Sequence, residues 1–138
     1  MNTQSTPVRF GVIGLNHGHI YGQVNSLTRA GAELVSFYAP EPDLVANFQQ
    51  RFPNATLVRS AAEILKDESL QVVASASIPC DRAPLGIEVM KHGKDFMVDK
   101  PGVTSLAQLA EVKRVQKETG RIYSILYGER LENPATVR

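Results

Sequence analysis

The chain has 138 residues, the length of one domain, and a chain of this size buries about two-thirds of its unfolded surface in its own core. Fifteen Lys and Arg against fourteen Asp and Glu leave a net charge of +1, which gives no electrostatic reason for a nucleic-acid partner. A single cysteine, Cys80, excludes an internal disulfide and points to a reducing compartment. The polar stretch 1–7 lacks the apolar core of a signal peptide, and no apolar run reaches the roughly 18 residues a membrane span needs, so the expected location is the cytoplasm, away from membranes.

Taken in chain order, short β-type runs alternate with helical periods. Residues 8–14 form an apolar run centred on Val12 and Ile13, which predicts a buried parallel strand. A helix follows, with Ile20, Val24 and Leu27 on one face and Gly31 just past its end. Residues 34–38 predict a second strand stopped by Pro40, and Pro42 opens a helix that sets Leu44, Phe48 and Phe52 at steps of four, with Val45 beside them. A short strand at 55–58 precedes Ser60 and Glu63, which are spaced as a capping box for a short helix.

Residues 70–77, centred on Val72 and Val73, predict the fourth strand. A helix over 81–92 is closed by Gly93, with His92 a structural residue near its C-terminus, and the fifth strand over 95–99 is ended by Pro101. Ser105 and Gln108 make a second capping box before a helix that carries Leu106, Leu109, Val112 and Val115 and stops at Gly120; the sixth strand covers 121–126. Strands alternating with helices imply βαβ units, and right-handed crossovers then favour a doubly wound, mostly parallel α/β sheet with helices on both faces. Six strands fit the order 3-2-1-4-5-6 of a dinucleotide-binding fold.

The first strand-to-helix junction reads Gly14-Leu15-Asn16-His17-Gly18-His19. A dinucleotide fingerprint uses one glycine for the tight turn, a second for close approach of the pyrophosphate and a third for helix–strand packing. Gly14 supplies the first; Asn16 and His19 stand where the second and third are expected, and Gly18 falls one position early. The helix N-terminus behind the turn favours an anion, whereas a tight turn with no nucleotide is the structural alternative. His17 and His19 form a bare His-x-His with no third ligand nearby in the sequence, so they are read as capping or lining the turn and no metal is assigned. At the tip of the second strand the position expected to hold an acidic ribose ligand is Ala39; Glu41, two residues on, either reaches back or simply starts the helix, so NAD and NADP stay undivided.

Further along come Ser77-Ile78-Pro79 after the fourth strand, the segment 90–94 ending in Gly93-Lys94, and Asp99-Lys100-Pro101 after the fifth. This order of motifs, over roughly residues 8–130, resembles the N-terminal dinucleotide-binding domain of the Gfo/Idh/MocA family of NAD(P)-dependent oxidoreductases. The family's usual patterns are a Thr-Pro-Asn-type turn and a Glu-Lys-Pro triplet; here Asp99 replaces the Glu, Cys80 replaces the Asn, and Ala83 stands where many members carry His. The resemblance implies a cofactor, NAD or NADP, held by Gly14, Leu15, Asn16, His17, Gly18, Ser77, Ile78, Pro79 and Asp99. Lys100 inherits the catalytic position beside the nicotinamide and the reacting hydroxyl, where a cation stabilises a developing alkoxide and assists proton transfer. Asp99 inherits the duty of orienting Lys100 or lining the nicotinamide site, Asp81 and Arg82 are read as caps of the fourth-strand helix, and Cys80 as a buried or inert thiol.

The implied activity is hydride transfer between the cofactor and a small-molecule substrate, a sugar, polyol or related alcohol. The implied domain plan is a dinucleotide-binding unit over 1–126 and, over 127–138, the start of a linker to a C-terminal substrate domain that lies outside this chain, with the crossing point at Tyr127-Gly128-Glu129-Arg130. Homo-oligomers are expected through that second domain, and the isolated chain is expected to be inactive. A non-catalytic nucleotide-sensing or partner-binding module is the alternative, prompted by Asn16, His19 and Ala39.

Overall fold

The structure, a computed structural model, describes residues 5–128. Six strands, β1 (Arg9–Ile13), β2 (Glu33–Tyr38), β3 (Thr56–Leu57), β4 (Val72–Ser75), β5 (Asp95–Asp99) and β6 (Tyr123–Leu126), alternate with five helices, α1 (His19–Arg29), α2 (Pro42–Arg51), α3 (Ala61–Lys66), α4 (Pro79–Lys91) and α5 (Leu106–Thr119). The strands form one sheet in the order β3-β2-β1-β4-β5-β6, and every pairing is parallel. This is the doubly wound α/β topology that the alternation of patterns predicts. The chain reverses its direction of winding between β1 and β4, and in open α/β sheets ligands bind in the crevice at such a switch point, outside the carboxyl ends of the strands.

Period-two alternation in the strands sends neighbouring residues to opposite faces. Phe10, Val12, Phe37 and Ala74 pack on one side with Ile20 and Val24 of α1 and Phe48 of α2. Phe48 is fully buried and lies 4.7 Å from the Phe37 ring and 4.8 Å from Phe52, an aromatic cluster that sets α2 onto the sheet. Ile13, Val73, Phe96 and Val98 face the other side, against Ile64 of α3 and Val89 of α4. A third cluster, Ala83, Met90, Val112 and Val115, joins α4 to α5.

Several local expectations need correction. The helix after β4 begins at Pro79, not at residue 81, because proline at the first helical position lacks only an N–H that a helix start leaves unused. Ser60 precedes α3 without a side-chain capping bond; Glu63 instead accepts from the Arg59 amide at 3.5 Å. Ser105 does cap α5 by accepting from the Gln108 amide, but the reciprocal arm is displaced by one residue, with Gln108 Oε1 accepting from the Thr104 amide at 2.8 Å. On α5 only Val112 and Val115 are buried, while Leu106 is 84% exposed on the outward side of its first turn. Cys80 is exposed on the first turn of α4. His92 follows α4 and its Nδ1 lies 2.7 Å from the Glu88 carbonyl oxygen.

The proposed crossing point at 127–130 lies half outside the described residues, and the rest of the linker stretch lies beyond them. Among the described residues no helix is long and apolar enough to cross a membrane.

Candidate functional site at the carboxyl edge of the sheet

Gly14 follows β1 with φ +89, a left-handed conformation that L side chains rarely adopt. A Cβ on Gly14 would stand 2.6 Å from Ser77 Cβ and 3.0 Å from Ser77 Cα. The turn after β1 therefore lies directly against the turn after β4, and only glycine permits it. Two backbone bonds hold the approach, from the His17 amide to the Ala76 carbonyl at 3.1 Å and from the Ala76 amide to the Gly14 carbonyl at 3.1 Å. The Gly14 amide itself donates to the Tyr38 carbonyl at 3.0 Å, which ties in the end of β2.

The remaining turn residues divide sharply. Leu15 is buried in the core, so its side chain faces away from any ligand and only its backbone remains for one. Asn16, His17, Gly18 and His19 are exposed. Gly18 is the N-cap of α1 with a right-handed backbone, and a Cβ there would meet nothing within 4 Å, so it does not compensate for the third glycine. Asn16 Nδ2 donates to Glu41 Oε1 at 2.8 Å, so Glu41 does reach back to the turn from the start of α2. Its other oxygen, Oε2, is buried without a hydrogen-bond partner among the described residues, while Ala39 is buried and offers no polar group.

On the other side of the crevice, Ser77 is buried; its amide donates to Ser75 Oγ at 3.2 Å, and its own Oγ has no partner among the described residues. Ile78 and Pro79 are exposed at the N-terminus of α4. Two buried polar atoms without partners, Ser77 Oγ and Glu41 Oε2, thus border a turn that only glycine can make. Buried oxygens of this kind are costly unless something pairs with them; a ribose hydroxyl can donate to the Glu41 carboxylate, and the Ser77 hydroxyl can donate to a phosphate or hydroxyl oxygen. These residues fit a dinucleotide. Two clefts lie at the opposite, amino edge of the sheet, around Leu70, Lys94 and Arg121 and around Pro7, Thr28 and Phe52.

Asp99 and Lys100 end β5 beside the same crevice. Asp99 is 2% exposed, and its Oδ1 accepts from the Lys100 amide at 2.9 Å; Lys100 is half-buried and its bond to Pro101 is cis. The histidines after β1 approach this carboxylate: His19 Nδ1 lies 3.0 Å from Asp99 Oδ1 and His17 Nδ1 lies 3.6 Å from Oδ2. His19, at the third-glycine position, thus presents its ring to Asp99 instead of allowing close helix packing.

The residue that the sequence reading misplaced is Arg82. It is not a cap. Its side chain is buried, donating from Nε to the Ser77 carbonyl at 2.7 Å and from Nη1 to the carbonyls of Asp99 at 3.1 Å and Pro101 at 3.2 Å, with Nη2 3.5 Å from Asp99 Oδ2. One guanidinium therefore joins the Ser-Ile-Pro turn to the Asp-Lys-Pro turn. The usable signal was its spacing: Arg82, Gly86 and Val89 fall on the buried face of α4.

Comparison with known proteins agrees with this fold. The profile of the Gfo/Idh/MocA oxidoreductase family, an NAD-binding Rossmann fold, matches residues 8–127. The uncharacterized oxidoreductase YdgJ of Escherichia coli (strain K12) is 24% identical over 82 residues, covering 59% of this chain and 24% of YdgJ. Among solved structures, a protein from Erwinia carotovora atroseptica SCRI1043 named as a proposed oxidoreductase superposes with a TM-score of 0.91 at 39% identity, over 94% of this chain and 39% of that one. The WlbA dehydrogenase of Bordetella pertussis, in complex with NADH and UDP-GlcNAcA, superposes with a TM-score of 0.84 at 18% identity, over 96% of this chain and 40% of that one, a likeness of fold alone. The chain spans less than half the length of each of these proteins.

Proposed function

The chain belongs to the Gfo/Idh/MocA family of NAD(P)-binding oxidoreductases, and on that premise we propose that it is the cofactor-binding part of a dehydrogenase acting on a sugar, polyol or related alcohol. The observation that carries the reading is the pair of buried, unpartnered oxygens, Ser77 Oγ and Glu41 Oε2, on either side of the Gly14 turn. In this reading Gly14 lets the turn close against Ser77, and the backbone of residues 15–18 together with the start of α1 receives the pyrophosphate. Ser77, Ile78 and Pro79 line the path of the cofactor along β4, and Glu41 accepts from the ribose hydroxyls.

The cofactor supplies hydride transfer when bound. Lys100 contributes positive charge beside the oxygen of the reacting alcohol, stabilising it as it becomes an alkoxide and assisting its proton transfer. Asp99 fixes the backbone of Lys100 through the amide bond already described, and Arg82 holds Asp99. Residues 1–126 act as the dinucleotide-binding unit and 127–138 lead toward a substrate domain, through which the whole protein forms homo-oligomers. The other walls of the substrate site come from that domain, so this chain alone does not turn over substrate.

Titration of the 138-residue chain with NADH and NADPH, followed by nicotinamide fluorescence, tests the first part. Saturable binding supports it, and no binding of either at millimolar concentration overturns it. Lys100→Ala in the longer protein should abolish alcohol turnover while leaving NADH affinity within a few-fold. A Lys100→Ala enzyme that still turns over at the parent rate removes Lys100 from the chemistry.

A further inference from the structure

We propose that the side chains of His17, His19 and Asp99 form a site for a divalent transition-metal ion of the zinc, cobalt or nickel class, at the edge of the cofactor crevice. The sequence gives a His-x-His without a third ligand; the fold supplies one, because the carboxyl ends of β1 and β5 lie on the same edge of the sheet. One donor atom from each of the three residues lies within 4.8 Å of the others. His19 Nδ1 stands 3.0 Å from Asp99 Oδ1 and His17 Nδ1 stands 3.6 Å from Oδ2. Ligand atoms about 2.0–2.1 Å from a tetrahedral ion stand roughly 3.3 Å apart; the two separations, each to a different carboxylate oxygen, lie on either side of that edge, and donor spacings of up to 4.8 Å shorten by turning the exposed imidazoles.

The chemistry of the donors narrows the ion. Two imidazoles and one carboxylate are borderline ligands that suit zinc and its transition-metal neighbours and are a poor set for magnesium or calcium, which take oxygen ligands. Three protein ligands leave at least one position open to water or to an oxygen of a bound small molecule. The carboxylate is pre-positioned: Asp99 is 2% exposed, with the Lys100 amide on Oδ1 at 2.9 Å and Arg82 Nη2 3.5 Å from Oδ2. Outer contacts of this kind orient metal ligands and are worth 10–100-fold in affinity. Arg82 and Asp99 cancel each other's charge, so the bound ion keeps its own charge at the N-terminus of α1, where it draws an anionic oxygen into the open position.

The competing arrangement is a purely hydrogen-bonded trio, with His17 Nδ1 accepting from the His19 amide at 3.1 Å and the His19 ring bonded to Asp99. Metal binding uses the same lone pairs, so the two arrangements are exclusive and a titration separates them.

The test does not involve nucleotide, so its failure is distinct from failure of the dehydrogenase reading. The 138-residue chain carrying Cys80→Ser, which removes the exposed thiol, is stripped with chelator and titrated with Zn2+ by calorimetry and with Co2+ by visible d–d absorption. The expected result is one ion per chain, with affinity reduced at least about tenfold in His17→Ala and in His19→Ala and unchanged in His92→Ala. Asp99→Asn should weaken binding similarly; because it also loosens Arg82, the exposed His17→Ala keeps the test decisive if that variant fails to fold. No saturable binding, or binding that survives both His17→Ala and His19→Ala, overturns the proposal in favour of the hydrogen-bonded trio.

Discussion

Asn16 Nδ2 and Glu41 Oε1 are hydrogen-bonded at 2.8 Å, which couples the turn after β1 to the start of α2 and leaves Glu41 Oε2 buried with no partner among the described residues. A carboxylate at the tip of the second strand accepts ribose hydroxyls and repels a 2′-phosphate. NADH should therefore bind more tightly than NADPH by roughly tenfold, the size of one charge-assisted interaction. Glu41→Gln should narrow that ratio toward one. Equal affinities for the two nucleotides in the parent chain would remove Glu41 from the ribose site.

Asn16 occupies the position at which the second glycine of a dinucleotide turn lets the pyrophosphate approach the backbone. Asn16→Gly clears that space and releases Glu41 from its bond. NADH affinity should rise several-fold in a fluorescence titration. A loss of affinity would instead make the amide a ligand, or make its hold on Glu41 necessary.

Arg82 is 2% exposed and bonded to three carbonyls as well as paired with Asp99. Replacing it with methionine leaves a buried carboxylate and three carbonyl groups short of a donor, a loss of roughly 3–5 kcal/mol. Urea unfolding of Arg82→Met should show a corresponding fall in midpoint, and adding Asp99→Asn should recover part of it. A change below about 0.5 kcal/mol, the range of ordinary surface substitutions, would contradict this account.

Tyr123 donates its hydroxyl to the Gly102 carbonyl, and burial pushes its pKa up to about 12, with Arg82 opposing the shift. The folded pKa lies above the unfolded value of 10.0, so this contribution to stability is complete below about pH 10 and is lost as pH rises from there through about 12. Spectrophotometric titration should find one of the four tyrosines ionising late, and Tyr123→Phe should remove that step. The same variant should cost about 1 kcal/mol at neutral pH for the lost hydrogen bond.

The topology was legible because each element announces itself locally. Residues 95–99 were read as a strand and are β5, and Gly120, expected to stop α5, caps it with φ +68. What the sequence could not show is which side chains meet across the sheet. Asp99 is 80 residues from His19, and Arg82 reads as a solvent-facing cap until its carbonyl partners, 17 and 19 residues away, come into place. Similarly Leu106 fits the apolar period of α5, yet it is 84% exposed and only Val112 and Val115 of that helix are buried. Leu15 stands inside the fingerprint by position, but its apolar side chain goes to the core.

The single guanidinium that bonds the Ser77, Asp99 and Pro101 carbonyls has a mechanical consequence. Three tethers on one rigid planar group make the loops after β4 and β5 into one stiff jaw. The turn after β1 is tied to that jaw by the backbone bonds at Ala76 and by His19 on Asp99, whereas among the described residues Glu41, at the start of α2, reaches the turn through one side-chain bond, to Asn16. Adjustment to an incoming ligand therefore falls first on the Asn16–Glu41 link, while the strand ends that carry Lys100 stay put as a fixed anvil.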